Sequence, residues 1–310
     1  MISAQGLTKH YGAKVALDNV TFQIQPGIVT GFLGPNGAGK STSMRLMVGL
    51  DKPTSGAVTI GGKKYRDHAA PMAEVGTLLD ASGVHPGRSA RSHLRGLAAT
   101  HGIGRGRVDE VLEETGLTAV ANKRVGGFSL GMGQRLGIAA ALLGDPEVLI
   151  LDEPVNGLDP DGVIWVRNLI RGQAAAGKTV LLSSHLMSEM AQTADHVIVL
   201  GRGRVIADAP IKDLLSGGAP RVRVVSGEAE RIVRELWELP GLGRDALSID
   251  TESRTSFTVR GMDSADIGRV CARAGIVLSE LTPITDSLEE AYMALTRDQL
   301  EYTSGKEQES

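Results

Sequence analysis

Short apolar runs alternate along the chain with longer segments in which apolar residues recur about every three to four positions. The short runs are rich in β-branched residues and leucine, which is typical of strands. They are VTFQIQ, VTGFLG, VTIGG, VLILDE, TVLLSS and HVIVLG. The longer segments KSTSMRLMVGL and GVIWVRNLIRGQAAAG predict helices. This alternation predicts an α/β fold in which helices cover a sheet.

One region departs from this alternation between Asp80 and about Val120. The segments SARSHLRGLAATHG and RVDEVLEETGL have helical patterns, and strand-like runs are missing between them. We therefore expect an inserted helical subdomain over about 80–135. The sequence GGAP at 217–220 then interrupts the pattern, and we place the end of the first domain, 1–217, at this point.

Residues 218–298 have a different order of predicted elements. The runs RVRVV, SID, SFTVR and IVLSE predict strands, and EAERIVRELWEL, SADIGRVCARAG and SLEEAYMALT predict helices. The order βαββαβα favours a small α+β ferredoxin-like accessory domain. Residues 299–310 are polar, and we expect them to form a flexible tail.

Composition narrows the class of protein. Of the 310 residues, 42% are hydrophobic and 22% charged, which is typical of globular domains. A net charge of -3 gives no broad electrostatic reason to expect a direct nucleic-acid partner. The longest apolar stretch, GIAAALLG, is far shorter than the roughly 20 residues of a membrane-spanning helix. With a single cysteine, Cys271, and an N-terminus without an apolar signal core, we expect a reducing cytoplasm.

A glycine-rich loop lies between a predicted strand and a predicted helix, which is the context of the Walker A pattern. Backbone N–H groups of such a loop cradle phosphate oxygens at the N-terminus of a helix. Lys40 is expected to span the β- and γ-phosphates, and the Ser41 hydroxyl to bind Mg²⁺. The candidate ATP-binding residues of this phosphate loop are Gly34, Pro35, Asn36, Gly37, Ala38, Gly39, Lys40, Ser41 and Thr42.

The run VLILDEP predicts a central strand that ends in two carboxylates. Asp152 is placed beside the phosphate loop as a Mg²⁺ ligand. Glu153 follows it and is a candidate general base for water. The alternative is a pair of exposed acids at the end of a strand, which the neighbouring phosphate loop makes the weaker interpretation.

Five motifs occur in the order seen in ATP-binding-cassette (ABC) ATPases, and the resemblance covers Met1 to about Gly217. They are YGAKVALDNV, GPNGAGKST, FSLGMGQR, LDEPVNGLDP and SSHLMSEM. The signature loop, FSLGM at 128–132, resembles the form found in the bacitracin-resistance and sodium-export-like branch of exporters. The resemblance implies a P-loop NTPase fold, with a RecA-like core, an antiparallel β subdomain and a helical subdomain.

The resemblance also implies roles for individual residues. Ser129 and Gly131 would contact ATP held by a second copy of the chain, so a homodimer is expected. Tyr11 matches the aromatic residue that stacks on adenine, and Asp159 matches the aspartate that links the two sites of the dimer. His185 matches the switch histidine at the γ-phosphate and completes a catalytic set with Glu153 and Lys40.

One position differs from the family pattern. Members usually have glutamine in the loop that leads into the helical subdomain, whereas EVGTLLDASG puts Asp80 there. An ionised carboxylate cannot donate a hydrogen bond as glutamine does. Asp80 is therefore a further candidate for the metal or its water shell, and its effect on coupling stays open.

The function implied is that of an ATPase subunit, with ATP and Mg²⁺ as cofactors, that powers a separate polytopic membrane permease. We expect this subunit on the cytoplasmic face of the cell membrane, with residues from Ser82 to Arg95 meeting the permease. The resemblance to the bacitracin-resistance and sodium-export-like branch favours export of a drug, antimicrobial peptide, lipid or ion. The main alternative is a soluble ABC ATPase acting on DNA or ribosomes. A P-loop kinase would share the phosphate loop but would not explain FSLGM together with NGLDP.

Overall fold

The computed structural model describes residues 1–81, 83–215, 219–239, 247–284 and 287–295. The chain divides into two compact units, one containing Met1–Ile211 with the described residues after Ala291, the other Lys212–Ala291. Ser82, the glycines at 217 and 218 and the predicted tail at 299–310 lie outside the described residues. The domain limits derived from the sequence therefore stay predictions. Within the described ranges, no helix combines the length and apolar character needed to cross a membrane.

The strands of the first unit form two sheets. In chain order they are β1 (Ile2–Tyr11), β2 (Lys14–Ile24), β3 (Val29–Leu33), β4 (Ser55–Ile60), β5 (Val75–Leu78), β6 (Val148–Leu151), β7 (Thr179–Ser183), β8 (His196–Gly201) and β9 (Arg204–Pro210). The first sheet is antiparallel, in the order β2-β1-β4. The second has the order β5-β6-β7-β3-β8-β9, in which neighbours from β5 to β8 run parallel and β9 runs antiparallel to β8. The predicted α/β core with an antiparallel β subdomain is confirmed.

Helices cover the parallel sheet and form a cluster of their own. In chain order they are α1 (Lys40–Met47), α2 (Pro71–Glu74), α3 (Ala90–Thr100), α4 (Arg105–Glu114), α5 (Leu130–Leu142), α6 (Pro160–Ala175), α7 (Met187–Thr193) and α8 (Ile211–Leu215), with single 3-10 turns at Tyr65–Asp67, Thr118–Val120 and Val125–Gly127. Helices α3, α4 and α5 pack against one another through buried side chains such as Leu94, Leu112 and Leu136. This cluster lies where the sequence predicts a helical subdomain.

The core of the first unit lies between its two sheets and encloses α1. Met44 and Met47 of α1 are buried there, together with Phe22 of β2 and Phe32 of β3. The two phenylalanine rings meet edge to face at 5.3 Å between centroids, a favoured aromatic geometry. Because α1 is held on both sides, the loop that leads into it has a fixed support.

The second unit has one antiparallel sheet. Its elements are β10 (Arg221–Val225), α9 (Ala229–Trp237), β11 (Ser248–Thr251), β12 (Ser256–Arg260), α10 (Ser264–Ala274) and β13 (Glu280–Ile284). A helix over 288–295 begins in this unit, which ends at Ala291. The strand order is β11-β12-β10-β13. This order is compatible with the ferredoxin-like prediction, which stays a prediction for this unit.

Two details of the second unit bear on the sequence interpretation. The last strand was expected over IVLSE at 276–280, but β13 begins only at Glu280 and continues to Ile284. Val277 is 76% exposed, so its apolar character does not reflect a buried strand. Cys271 is buried on α10, where burial raises the pKa of its thiol, in agreement with a packing role.

Candidate functional site

The carboxyl ends of four neighbouring parallel strands carry most of the predicted site. The phosphate loop follows β3, Asp80 lies two residues after β5, and Asp152 and Glu153 follow β6. Ser183 ends β7, and His185 lies two residues beyond it. Because parallel strands end at the same edge of a sheet, the topology brings these residues together, as in other open α/β sheets that bind ligands at this edge.

The phosphate loop needs glycine at two closely packed positions. Gly34 has φ +152°, and a Cβ atom there would lie 2.2 Å from the carbonyl oxygen of Leu200. Gly39, the residue before α1, has φ +111°, and its Cβ atom would lie 2.6 Å from Cδ2 of Leu17. A side chain at either position would therefore displace the loop or its neighbours. The loop is held in a conformation open only to glycine at these points.

Lys40 turns back over the phosphate loop. Its Nζ donates hydrogen bonds to the carbonyl oxygens of Gly34, at 2.6 Å, and Pro35, at 3.2 Å. The residue is 7% exposed. Burial lowers the pKa of Lys40, and the nearby carboxylates of Glu153 and Asp152 oppose this effect. A mostly buried ammonium group thus lies beside the loop where an anion would be held.

A cavity of about 360 Å³ opens at this edge of the sheet. Its lining contains the phosphate-loop residues from Pro35 to Thr42, followed by Leu78, Leu79, Asp80, Ala81, Gln134, Asp152, Glu153 and Asn156. The polar groups of this lining suit Mg-ATP. Backbone N–H groups at a helix N-terminus and an ammonium group bind phosphate. Hydroxyl and carboxylate oxygens are ligands that Mg²⁺ prefers. Ser41, Asp152 and Asp80 are among the lining residues that carry such oxygens, and their binding of Mg²⁺ stays a prediction.

Ser183 holds both acids that follow β6. Its hydroxyl donates to Oδ1 of Asp152 at 2.5 Å and accepts a hydrogen bond from the backbone N–H of Glu153 at 2.9 Å. Ser183 is fully buried. A hydrogen bond to a carboxylate is charge-assisted and fixes the direction of the carboxylate. The carboxylate of Asp152 and the backbone of Glu153 are therefore both held by this one hydroxyl.

Glu153 adopts the left-handed backbone conformation, with φ +50°. Its carbonyl oxygen accepts hydrogen bonds from Nε2 of Gln134, at 3.0 Å, and from the N–H of Asn156, at 3.2 Å. Its Oε2 lies 2.8 Å from Nδ1 of His185 and 3.3 Å from the backbone nitrogen of His185. Donation from Nδ1 of His185 to this oxygen requires the imidazole to carry a proton on Nδ1. The structure thus pairs His185 with Glu153, and the phosphate contact of His185 stays a prediction.

The signature loop and the NGLDP loop pack against each other. Ser129 caps α5 by accepting a hydrogen bond from the N–H of Met132 at 3.2 Å. A Cβ atom on Gly131 would lie 3.0 Å from the carbonyl oxygen of Gly157, and one on Gly157 would lie 2.2 Å from Cδ2 of Leu130. Leu130 is nevertheless 69% exposed. The N-terminus of α5 is therefore supported by the chain itself while it faces outward.

Six predicted site residues do not belong to the described lining of the cavity: Tyr11, Gly34, Ser129, Gly131, Asp159 and His185. Asp159 caps α6 through a hydrogen bond from the N–H of Gly162 at 2.9 Å. Tyr11 ends β1 and is 44% exposed, and Nζ of Lys9 lies 4.7 Å from the ring centroid. The sequence-based roles of Tyr11, Ser129, Gly131 and Asp159 stay predictions.

Tyr11 is nevertheless tied to the phosphate-loop region. Its hydroxyl donates to Oδ2 of Asp51 at 2.7 Å, and Arg45 of α1 binds the same oxygen at 2.8 Å. Burial raises the pKa of Tyr11, the Asp51 carboxylate adds to the increase, and a hydrogen bond with Thr42 opposes it. The phenol thus lies beside the end of the phosphate loop, with its hydroxyl already engaged.

Sequence reasoning missed three residues of the site: Ser183, Gln134 and Asn156. Ser183 lies inside the run TVLLSS, which predicts a strand, and Gln134 lies inside the motif FSLGMGQR. The available signal was topological, because a polar residue at the carboxyl end of a parallel strand faces the ligand edge of the sheet.

The phosphate loop follows the parallel strand β3, and two acids follow β6, which lies two positions from β3 in the sheet. This arrangement defines a P-loop nucleotide-binding protein. The family model described as ABC transporter matches residues 17–156, and a domain of unknown function, DUF8746, matches residues 220–289. The bacitracin transport ATP-binding protein BcrA of Bacillus licheniformis is 42% identical over 217 residues, which cover 69% of this chain and 71% of that protein. The daunorubicin resistance ATP-binding protein DrrA3 of Streptomyces coeruleorubidus is 34% identical over 306 residues, 96% of each chain. The chain belongs to the ATP-binding subunits of ABC transporters.

Solved structures agree with this assignment. The dimeric structure of MJ0796, described as a bacterial ABC transporter cassette, has a TM-score of 0.61 at 27% identity and covers 68% of this chain and 99% of that chain. A post-hydrolysis state of the same cassette, bound to ADP and Pi, has the same TM-score at 26% identity. The chain is thus an ATP-binding and ATP-hydrolysing subunit, and the family finding favours transport over the alternative of a soluble ATPase acting on DNA or ribosomes.

Proposed function

We propose that two copies of this chain close around two Mg-ATP and power a separate polytopic permease that exports a drug, antimicrobial peptide, lipid or ion. One observation carries the proposal. The phosphate loop, Asp152 and Glu153 line one cavity, whereas Ser129 lies at an outward-facing helix N-terminus apart from the described lining of that cavity. A helix N-terminus binds anions, so this one suits the γ-phosphate held by another copy.

The residues of the cavity have distinct parts in the proposed hydrolysis. Lys40 and the loop N–H groups hold the phosphates, and Ser41 and Asp152 would hold Mg²⁺, with Asp80 as a further oxygen donor. When bound, Mg²⁺ neutralises charge on the β- and γ-phosphate oxygens. Glu153 orients a water molecule and takes a proton from it as the water oxygen bonds to the γ-phosphorus. The bond between the γ-phosphorus and the bridging oxygen breaks at the same time, which releases ADP.

His185 of the same chain and Ser129 of the second copy complete the proposed site. His185 fixes the carboxylate of Glu153 through the 2.8 Å contact and would sense the γ-phosphate through the rest of its ring. Ser129 of the second copy would donate to the γ-phosphate oxygens, and Asp159 would connect the two sites. A preorganised donor of this kind is typically worth about 3 kcal/mol of transition-state stabilisation, roughly a hundredfold in rate.

The transport part rests on the relatives. BcrA is named as a bacitracin transport protein, and DrrA3 as a daunorubicin resistance protein. We place the subunit on the cytoplasmic face of the membrane, with the segment around 83–95, at the start of α3, against the permease. Ser82, with which this predicted contact begins, lies outside the described residues.

Light scattering of purified Glu153→Gln with and without Mg-ATP tests the dimer. The substitution removes the base and keeps the shape of the side chain, so the complex should accumulate as an ATP-dependent dimer. Adding Ser129→Arg should abolish the shift in mass. A monomer that binds ATP equally well with and without the Ser129 substitution contradicts the composite site.

Affinity purification from detergent-solubilised membranes tests the permease. Co-purification of a polytopic membrane protein with the wild-type chain is the expected result. Ribosomes or DNA in its place would favour the alternative class and contradict the transport proposal.

A further inference from the structure

Gln134 connects the signature helix to the proposed base of the same chain. It lies in α5, five residues after the cap residue Ser129, and is only 5% exposed. Its Nε2 donates a 3.0 Å hydrogen bond to the backbone carbonyl oxygen of Glu153, and the residue also lines the nucleotide cavity. One buried amide group thus joins two parts of the molecule that are 19 residues apart in sequence.

Glu153 needs such support because its backbone is in an unfavourable conformation. With φ +50°, this non-glycine residue adopts the left-handed region, which persists only where neighbouring groups enforce it. Ser183 holds the N–H of Glu153, and Gln134 and Asn156 hold its carbonyl oxygen. The backbone conformation fixes the Cα–Cβ direction, so these bonds also set where the carboxylate points.

We propose that Gln134 is a positioning residue that keeps Glu153 in its left-handed conformation and so links the signature loop to the orientation of the base in the same chain. This inference rests on the proposed roles of Glu153 and Ser129. A single helix carries both Ser129 and Gln134, about 7.5 Å apart along its axis at 1.5 Å per residue. Engagement of Ser129 by the ATP of a second copy therefore acts on the element that holds this chain's own Glu153.

The hydrogen-bond direction gives the link its chemical specificity. The carbonyl oxygen of Glu153 requires a donor, and the amide of Gln134 is the side chain on α5 that supplies one. Methionine has a similar length and no donor, so Gln134→Met removes the hydrogen bond and preserves most of the packing. Asparagine keeps the amide but is one methylene shorter, so Gln134→Asn should fail to reach the carbonyl oxygen.

The neighbouring residue offers a matched control. Nη1 of Arg135 donates a 3.1 Å hydrogen bond to the carbonyl oxygen of Thr115, and its guanidinium group stacks on the ring of Trp165. Arg135→Met therefore also removes a side-chain bond from α5 to a backbone carbonyl, but one that does not involve Glu153. A loss that comes from weakened helix packing should appear in this control as well.

The test is a double-mutant cycle on steady-state ATP hydrolysis. Gln134→Met and Gln134→Asn should each lower kcat about tenfold, equivalent to about 1.4 kcal/mol, with KM for ATP unchanged. Arg135→Met should leave kcat within about twofold of wild type. In the Glu153→Gln background, Gln134→Met should produce no further loss of the residual rate and no loss of the ATP-dependent dimer.

The outcomes separate this inference from the function on which it rests. If Glu153→Gln hydrolyses ATP at the wild-type rate, the base assignment itself fails. If Glu153→Gln is impaired but both Gln134 variants have wild-type kcat, Gln134 does not act through Glu153. The same conclusion follows if Gln134→Met lowers the residual rate of Glu153→Gln by the same tenfold. A rise in KM with unchanged kcat would also overturn the positioning role.

Discussion

Ser183→Ala is the substitution for which the structure gives the clearest consequence. The Ser183 hydroxyl bonds the carboxylate of Asp152 and the N–H of Glu153, and it is fully buried. A hydrogen bond to a charged group typically contributes about 1.5–3 kcal/mol, and an unsatisfied buried N–H costs about 1–3 kcal/mol. We expect about 2 kcal/mol of this sum to appear as lost transition-state stabilisation, which lowers kcat roughly 30-fold.

The assay is ATP hydrolysis measured as a function of Mg²⁺ concentration. Because Asp152 loses its hydrogen-bond donor, the Mg²⁺ concentration for half-maximal activity should also change in Ser183→Ala. The adjacent Ser184 is an internal control, since it is buried to the same degree but bonds only the turn at Leu186, accepting from the N–H of Leu186 at 3.0 Å. Ser184→Ala should lower the free energy of unfolding by about 1 kcal/mol and leave kcat and the Mg²⁺ midpoint unchanged.

A result in which the two serine variants have the same kcat and the same Mg²⁺ midpoint would refute the reasoning. It would mean that the acids after β6 are positioned without the hydroxyl of Ser183. A thermal unfolding measurement on both variants excludes general loss of structure as the cause of any difference in rate.

Three further predictions concern packing, metal coupling and the base of the nucleotide. A Cβ atom on Gly76 would lie 2.0 Å from the carbonyl oxygen of Ala141, so Gly76→Ala should lower the free energy of unfolding in urea by about 1–3 kcal/mol. Gly96 lies in open space on α3, so Gly96→Ala should raise the free energy of unfolding by about 0.5–1 kcal/mol. Equal effects of the two substitutions would contradict the packing argument. Asp80→Gln should retain ATP affinity in a nucleotide-binding titration but change kcat, and unchanged kinetics would remove Asp80 from the mechanism. Tyr11→Ala should weaken ATP binding about tenfold and Tyr11→Phe should not, because base stacking contributes about 1–3 kcal/mol; equal affinities for both variants would rule out stacking.

The core strands could be predicted from the sequence because burial dominates their composition. VTGFL, VLIL and TVLLS of β3, β6 and β7 are buried along their whole length, as expected for central parallel strands. The strands β1, β5 and β9 were not predicted. β1 mixes polar and apolar residues and has shifts in register around Gly6, so its alternation is irregular. β5 is as short as β6, but its sequence VGTL contains glycine and threonine and lacks the unbroken apolar run VLIL of β6.

The error at β13 has a different cause. The sequence IVLSE looked like a strand because it is apolar, but the strand that pairs with β10 contains Pro283. Proline lacks the N–H needed in the interior of a sheet, which argues against a strand, yet it is tolerated on an edge. β13 has that edge position in the order β11-β12-β10-β13.

The candidate site was predictable in part. The phosphate loop and the two acids follow from local motifs, because a short stretch of chain contains the whole chemical arrangement. Ser183 and Gln134 act on Glu153 from 30 and 19 residues away in sequence, and no local pattern reports such a contact. The pairing of strand ends in the parallel sheet had to be known first.

The central claim is that each active site combines the phosphate loop of one copy with the signature loop of another. Mixing two inactive variants, Lys40→Ala and Ser129→Arg, tests it most directly. Each variant alone should be inactive, and an equal mixture should recover about a quarter to a half of the wild-type ATPase activity. A mixed dimer contains one intact site of two, and it forms either at random or in preference to dimers of one variant. If Ser129→Arg alone hydrolyses ATP like the wild type, or if the mixture associates and stays inactive, the composite site is contradicted.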